Sequence, residues 1–141
     1  MAELYIDAED AIFGRLGSYI AKRAMLGDTV KVMNSEKAII SGSKELTIKK
    51  YQYLKSGMGR PAKGPFYSKM PDRFMRRIIR GMLPHKKTKG WEAYKRIMCY
   101  IGVPAEFKNQ KLIKIQEADV SRLKTLKKVS IGEVCKALGR K

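Results

Sequence analysis

Histidine and cysteine are almost missing from this 141-residue chain, which holds one His and two Cys. Cys99 and Cys135 stand far apart with no second Cys or His beside either. Neither zinc-ligand spacing nor a redox Cys-x-x-Cys pair exists, no metal site is expected, and both thiols read as buried. His85 sits in Pro84-His85-Lys86-Lys87 with no acid near it in sequence to orient the ring. It therefore reads as a loop histidine touching backbone or phosphate, not as a general base. Acids are scarce too, thirteen against thirty-one Lys and Arg, and too scattered to pair for acid/base work; the adjacent Glu9 and Asp10 are expected to open the first helix, favoured there by its dipole. No apolar run approaches the ~20 residues of a membrane span, and Met1-Ala2-Glu3 begins no apolar leader. A cytoplasmic protein without membrane contact is expected. Internal repeats and low-complexity tracts are absent.

Phosphate-cradling loops are also lacking. Gly14-x-x-Gly17 is half of a dinucleotide fingerprint, and no acid stands where the second strand ends at Met33-Asn34-Ser35, since Asp28 lies at that strand's start. A tight turn and close helix packing account for both glycines. Gly57-x-Gly59 is followed by Arg60-Pro61 and not by Gly-Lys-Ser/Thr. No nucleotide or other cofactor is expected.

What the chain does have is apolar content and positive charge. At 44% hydrophobic it can bury a real core, and its length fits a single domain spanning residues 1–141. The net charge of +18 is unevenly spread. Met1 to Ser43 carries −1, Lys44 to Lys89 carries +12 from fourteen bases and two acids, and Gly90 to Lys141 carries +7. Clustering one sign costs self-repulsion that a counter-charged partner removes, so the middle segment is an address for a polyanion.

Leu4 to Ala8 and Thr29 to Met33 read as strands. Between them Ile12, Phe13, Leu16, Gly17, Ile20, Ala21 and Ala24 share one helical arc, with Arg15, Ser18 and Lys22 opposite. Strand, helix, strand predicts a parallel pair with a right-handed crossover. Ala38-Ile39-Ile40 is a further short strand, and Ser43 is placed to cap a basic helix through Leu54. Ser56 to Asp72 is a loop punctuated by Gly and Pro. Arg73 to Leu83 is the clearest helix, stopped by Pro84. Trp91, Tyr94, Ile97, Met98 and Ile101 predict another that ends at Gly102. Leu112 to Ile115 is a candidate late strand, and Ser130-Ile131-Gly132-Glu133 fits a capping box with Val129 and Val134 as its staple.

The strongest chemical signal is the stripe Arg73, Arg76, Arg77 and Arg80, whose i, i+3, i+4, i+7 spacing lines four guanidinium groups along one helical face, away from Phe74, Ile78 and Met82. A solubilising face mixes Lys with Glu, whereas Arg brings forks for phosphate and planes for base stacking. The preceding loop adds Arg60, Lys63 and Lys69, with Phe66 and Tyr67 as stacking platforms or core anchors. Lys49, Lys50 and Lys55 on the helix before it, and His85, Lys86, Lys87 and Lys89 after the stripe, complete the candidate RNA-binding set. No helix-turn-helix, zinc finger or RNP signature supports duplex-DNA readout.

Read together, Ile6-Asp7-Ala8, Phe13-Gly14-Arg15-Leu16-Gly17-Ser18, Met33-Asn34-Ser35-Glu36-Lys37-Ala38 and Arg80-Gly81-Met82-Leu83-Pro84-His85 resemble the ribosomal protein L13 family over most of the chain. Met70-Pro71-Asp72 before the Arg-rich helix and Pro84-His85-Lys86 after it resemble the archaeal and eukaryotic branch more than the bacterial one. The resemblance implies a three-layer α/β/α fold around a small, mainly parallel central sheet, here with a basic loop and helix extension. It also implies large-subunit rRNA and neighbouring ribosomal proteins as partners, a structural and assembly role, and no catalysis. The bacterial pattern has a His/Gly-rich segment and a His-Pro-His where Tyr53 to Gly57 and Gly102 to Pro104 stand here, so contacts made there do not transfer. Two rivals are an RNA-modifying or nucleotide-dependent enzyme, which needs a fingerprint this chain lacks, and a nonspecific DNA-compacting protein.

Overall fold

The computed structural model describes residues 1–56, 59 and 61–140. Its first three elements are the expected strand–helix–strand unit: β1 (Glu3–Asp7), α1 (Phe13–Met25) and β2 (Thr29–Met33). β1 and β2 pair in parallel, with Leu4 opposite Val30 and Ile6 opposite Val32. Alternation along β2 sends the fully buried Val30 and Val32 toward the helices. Lys31 points to the opposite face, where its Nζ lies 4.8 Å from the ring centroid of Phe107 and 5.3 Å from that of Tyr5. The buried arc of α1 is Leu16, Gly17, Ile20, Ala21 and Ala24, all within the arc read from the sequence. Gly17 faces the Met82 side chain, where a Cβ would stand 3.0 Å from Met82 Sδ.

Glu9 and Asp10 do not open α1, whose first turn holds no acid. Asp10 takes a left-handed φ of 57°, and short bridges from Ala11 to Asp119 and Ile12 to Ile39 keep those residues extended until Phe13. Glu9 instead meets Lys37 at 3.0 Å.

After β2, Asn34 also takes a left-handed conformation (φ 55°), and its buried amide donates to Asp7 Oδ1 at 2.9 Å, tying together the ends of the two strands. A 3-10 turn (Ser35–Lys37) leads to β3 (Ile39–Ser41), α2 (Lys44–Ser56), a second 3-10 turn (Pro61–Lys63), α3 (Pro71–Gly81) and α4 (Thr88–Lys95). Then comes β4 (Ile97–Cys99), parallel to β2, giving a sheet ordered β1-β2-β4. The periodicity predicted helix through Ile101, but the chain leaves the helix after Lys95. Apolar residues at i+6 and i+7 suit either period, and the free edge of β2 decides: Ile97 and Cys99 are buried, while Met98 between them is exposed.

The late strand expected at Leu112 to Ile115 contracts to one bridge, in which Ile113 accepts from Asp7 N at 3.0 Å and donates to Tyr5 O at 2.8 Å. β5 (Lys128–Ser130), which the sequence reading did not anticipate, pairs antiparallel with β3 and feeds α5 (Ile131–Ala137). α5 opens with the predicted capping box: Ser130 Oγ accepts from Glu133 N, and Glu133 Oε2 accepts from Ser130 N at 3.1 Å. That backbone N–H holds the Glu133 carboxyl below its ordinary value. Val129 and Val134 are both buried. The chain thus adopts an α/β architecture around a small, mainly parallel sheet, with α1, α3 and α4 packed together beside it. Among the described residues, no helix is long and apolar enough to cross a membrane.

Candidate nucleic-acid interface

α3 is anchored by Phe74, Met75 and Ile79, all fully buried. Phe74 meets Tyr51 of α2 edge-on at 4.9 Å and Tyr67 at 6.3 Å. Fully burying each such side chain contributes about 1.5–3 kcal/mol, and this fixes the rotation of the helix and hence the direction of its arginines.

The structure divides the arginine stripe. Arg73 is exposed, while Arg76, Arg77 and Arg80 are half-buried. Arg76 turns inward: its Nε donates to Ile97 O at 2.8 Å, one Nη donates to Tyr94 O at 3.4 Å, and the guanidinium lies 4.4 Å from the Tyr94 ring centroid. The reason lies in the sheet. Arg96 O and Tyr100 N of the β4 segment bond to β2, so by alternation the Ile97 carbonyl points off the sheet edge. An edge carbonyl needs a donor, and Arg76 supplies one. Arg77 lies 5.2 Å from the Tyr67 ring centroid. The Nε atoms of Arg77 and Arg80 are buried and have no acceptor among the described residues.

Around this helix the other candidates form a broad cationic surface. Lys49, Lys50, Lys63, Lys69, Lys86, Lys87 and Lys89 are exposed. Lys50 Nζ sits 5.6 Å from the Tyr51 ring centroid, and Lys55 Nζ donates to the Leu138 carbonyl at the end of α5. His85 is half-buried with Nδ1 3.3 Å from Leu83 O. Arg60 lies outside the described residues. Among the described residues, Lys44 alone of the bases from Lys44 to Lys89 comes within ion-pair distance of a carboxylate, at 3.4 Å from Glu133. The loop aromatics separate as well: Tyr67 joins the Tyr51–Phe74 cluster, while Phe66 is 68% exposed.

The turn that carries His85 to Lys89 is locked by Gly90 at the start of α4. A Cβ there would overlap the Pro84 carbonyl and lie 2.9 Å from His85 N. Two residues missing from the sequence-derived set, Ser68 and Tyr94, join Phe66, Arg73, Arg76 and Arg77 around a cleft of about 330 Å³. Periodicity assigns Tyr94 to an apolar stripe, and the signal in the sequence for a second role is its phenol ring close after an Arg-rich helix.

The remaining reactive groups are unsuited to covalent chemistry. Burial pushes the Cys99 thiol up to about 12 and the Cys135 thiol up to about 11, leaving both protonated at neutral pH. Among the described residues, no three His, Cys, Asp or Glu side chains converge to hold a metal.

Residues 2–106 match the family described as ribosomal protein L13. The chain is similar to the large ribosomal subunit protein uL13 of Methanopyrus kandleri, 48% identical over 136 residues that cover 95% of this chain and 85% of that protein. It is similar to the uL13 proteins of Methanococcoides burtonii (40% identical, 96% of this chain and 97% of the relative) and Methanosarcina barkeri (42% identical, with the same coverage). These relatives are archaeal, the side of the family to which the Met70-Pro71-Asp72 and Pro84-His85-Lys86 segments pointed.

Proposed function

Because the chain belongs to the ribosomal protein L13 family, we propose that it is a structural, non-catalytic constituent of the large ribosomal subunit whose Lys44–Lys89 segment neutralises phosphates of folded rRNA. The carrying observation is that these cations are largely uncompensated: among the described residues, one base in that segment has a carboxylate within ion-pair distance. An isolated protein gains nothing from such an arrangement, and a polyanion relieves it. Residues 1–141 act as one domain in this reading, with the sheet and α1 holding the basic surface in place.

Labour is divided within that surface. Arg73, Lys49, Lys63, Lys69, Lys86, Lys87 and Lys89 are exposed and meet backbone phosphates, as does Arg60. Arg76 and Lys55 also hold neighbouring elements through carbonyl contacts. Arg77, Arg80, Lys50 and His85 stand between these roles. Neutralisation and shape carry recognition, in keeping with RNA helices whose deep, narrow major groove side chains cannot read. Neighbouring ribosomal proteins complete the surroundings, and support of subunit assembly follows from bridging rRNA segments. The test is cosedimentation with large subunits through a high-salt wash: the protein is expected in the subunit peak, and its complete release into the soluble fraction would overturn the integral-component reading.

A further inference from the structure

We propose that the cleft between the 66–68 strip, α3 and α4 is a nucleotide site that takes one unstacked RNA base against Phe66, with the adjoining phosphodiester on Arg73, Arg76 and Arg77; this rests on the rRNA reading above. The cleft's roughly 330 Å³ is at the small end of ligand pockets, a size for a single nucleotide and not for a duplex.

Its lining contains three guanidinium groups and no acid. Two are held before any ligand arrives: Arg76 by two backbone carbonyls and the Tyr94 ring, Arg77 by the Tyr67 ring. Arginines fixed in this way lose little further freedom on meeting a phosphate, which is the condition for tight anion capture. Ser68 Oγ accepts from Met70 N at 3.2 Å, so its hydroxyl hydrogen remains available to donate to an incoming oxygen.

Phe66 is what a phosphate alone does not explain. It is 68% exposed, although its sequence neighbour Tyr67 is half-buried and packs against the core beside Tyr51 and Phe74. Its ring lies over Gly64 (φ 98°), where an added Cβ would stand 3.2 Å from Phe66 Cε2. An exposed aromatic ring beside a held cationic cluster is the pairing that binds a base and its backbone together. The site therefore adds a contact that charge neutralisation lacks.

Salt separates the two contributions. The probe is the shortest large-subunit rRNA fragment that the wild-type protein protects from nuclease, titrated at several salt concentrations. Phe66→Ala is expected to weaken binding roughly 5- to 150-fold, the range for losing one stacked base, with the slope of log K against log salt unchanged. Phe66→Trp is expected to keep wild-type affinity. Arg73→Ala is expected to make the slope shallower by about 0.9. Wild-type affinity for Phe66→Ala, with the slope still reduced in Arg73→Ala, would overturn the base site and leave the rRNA reading standing. Failure of the wild-type protein to protect any fragment would overturn the rRNA reading itself, and the base site with it.

Discussion

Arg76 and Arg73 lie three residues apart on the same helical stripe, yet alanine at the two positions is expected to have different consequences. At Arg76 the change removes a 2.8 Å hydrogen bond to Ile97 O, a weaker one to Tyr94 O and a cation–ring contact at 4.4 Å. A hydrogen bond from a charged donor contributes about 1.5–3 kcal/mol, and a partly desolvated cation–π contact about 0.5–2 kcal/mol. The two share one guanidinium and are not additive, so a loss of about 2–4 kcal/mol is expected. Exposed Arg73 has no such contacts among the described residues, and its replacement is expected to fall within about 0.5 kcal/mol of wild type. In urea, with a slope of about 2 kcal/mol per molar, the Arg76→Ala midpoint should drop by about 1–2 M while that of Arg73→Ala stays in place. RNA affinity should fall in both, but loss at Arg76 reports on folding as well as on contact. Equal midpoints for the two variants would refute the division of the stripe and return Arg76 to the outward-facing role that periodicity alone gave it.

Gly90→Ala sets two effects against each other: alanine favours helix by about 1 kcal/mol, but its Cβ would overlap the Pro84 carbonyl backbone. Overpacking against backbone costs about 1–3 kcal/mol or more; because neither chain segment can yield, a net loss is expected, and a thermal midpoint at or above wild type would contradict the packing described. Ser130→Ala should cost about 0.5–2 kcal/mol through loss of the α5 cap, measured by denaturation at neutral pH. The capping contribution of Glu133, whose carboxyl lies below its ordinary value of 4.5, is complete above that value and disappears as pH falls through the lower folded one. Glu133→Gln should therefore show less acid-side loss of stability than wild type, and an identical pH profile would count against the capping box.

Local rules were enough for part of this molecule. The alternation in β2 and the arc from Leu16 to Ala24 specify which faces are buried, and Ser130 with Glu133 three residues on specifies a helix start; each depends on neighbours in sequence. Other features depend on distant partners. Ile97 to Cys99 became a strand because β2 had a free edge, and Glu9-Asp10 became a turn because residues 11 and 12 are held by Asp119 and Ile39. The helical wheel places Arg76 on the polar face, but it contains no information on the sheet edge beside that face. The same holds for Phe66 and Tyr67, equivalent in sequence and separated only by what packs against them. The basic address itself was legible because charge count and spacing do not need a fold.

If exposed cations of the Lys44–Lys89 segment clamp rRNA phosphates, the salt dependence of binding separates wild type from a variant with Arg73, Lys86, Lys87 and Lys89 all changed to Gln. With about six to ten phosphates neutralised, the wild-type plot of log K against log salt should have a slope of roughly −5 to −9, and the variant should be shallower by about three to four. A nearly salt-independent wild-type affinity, or a folded variant with an unchanged slope, would contradict the account.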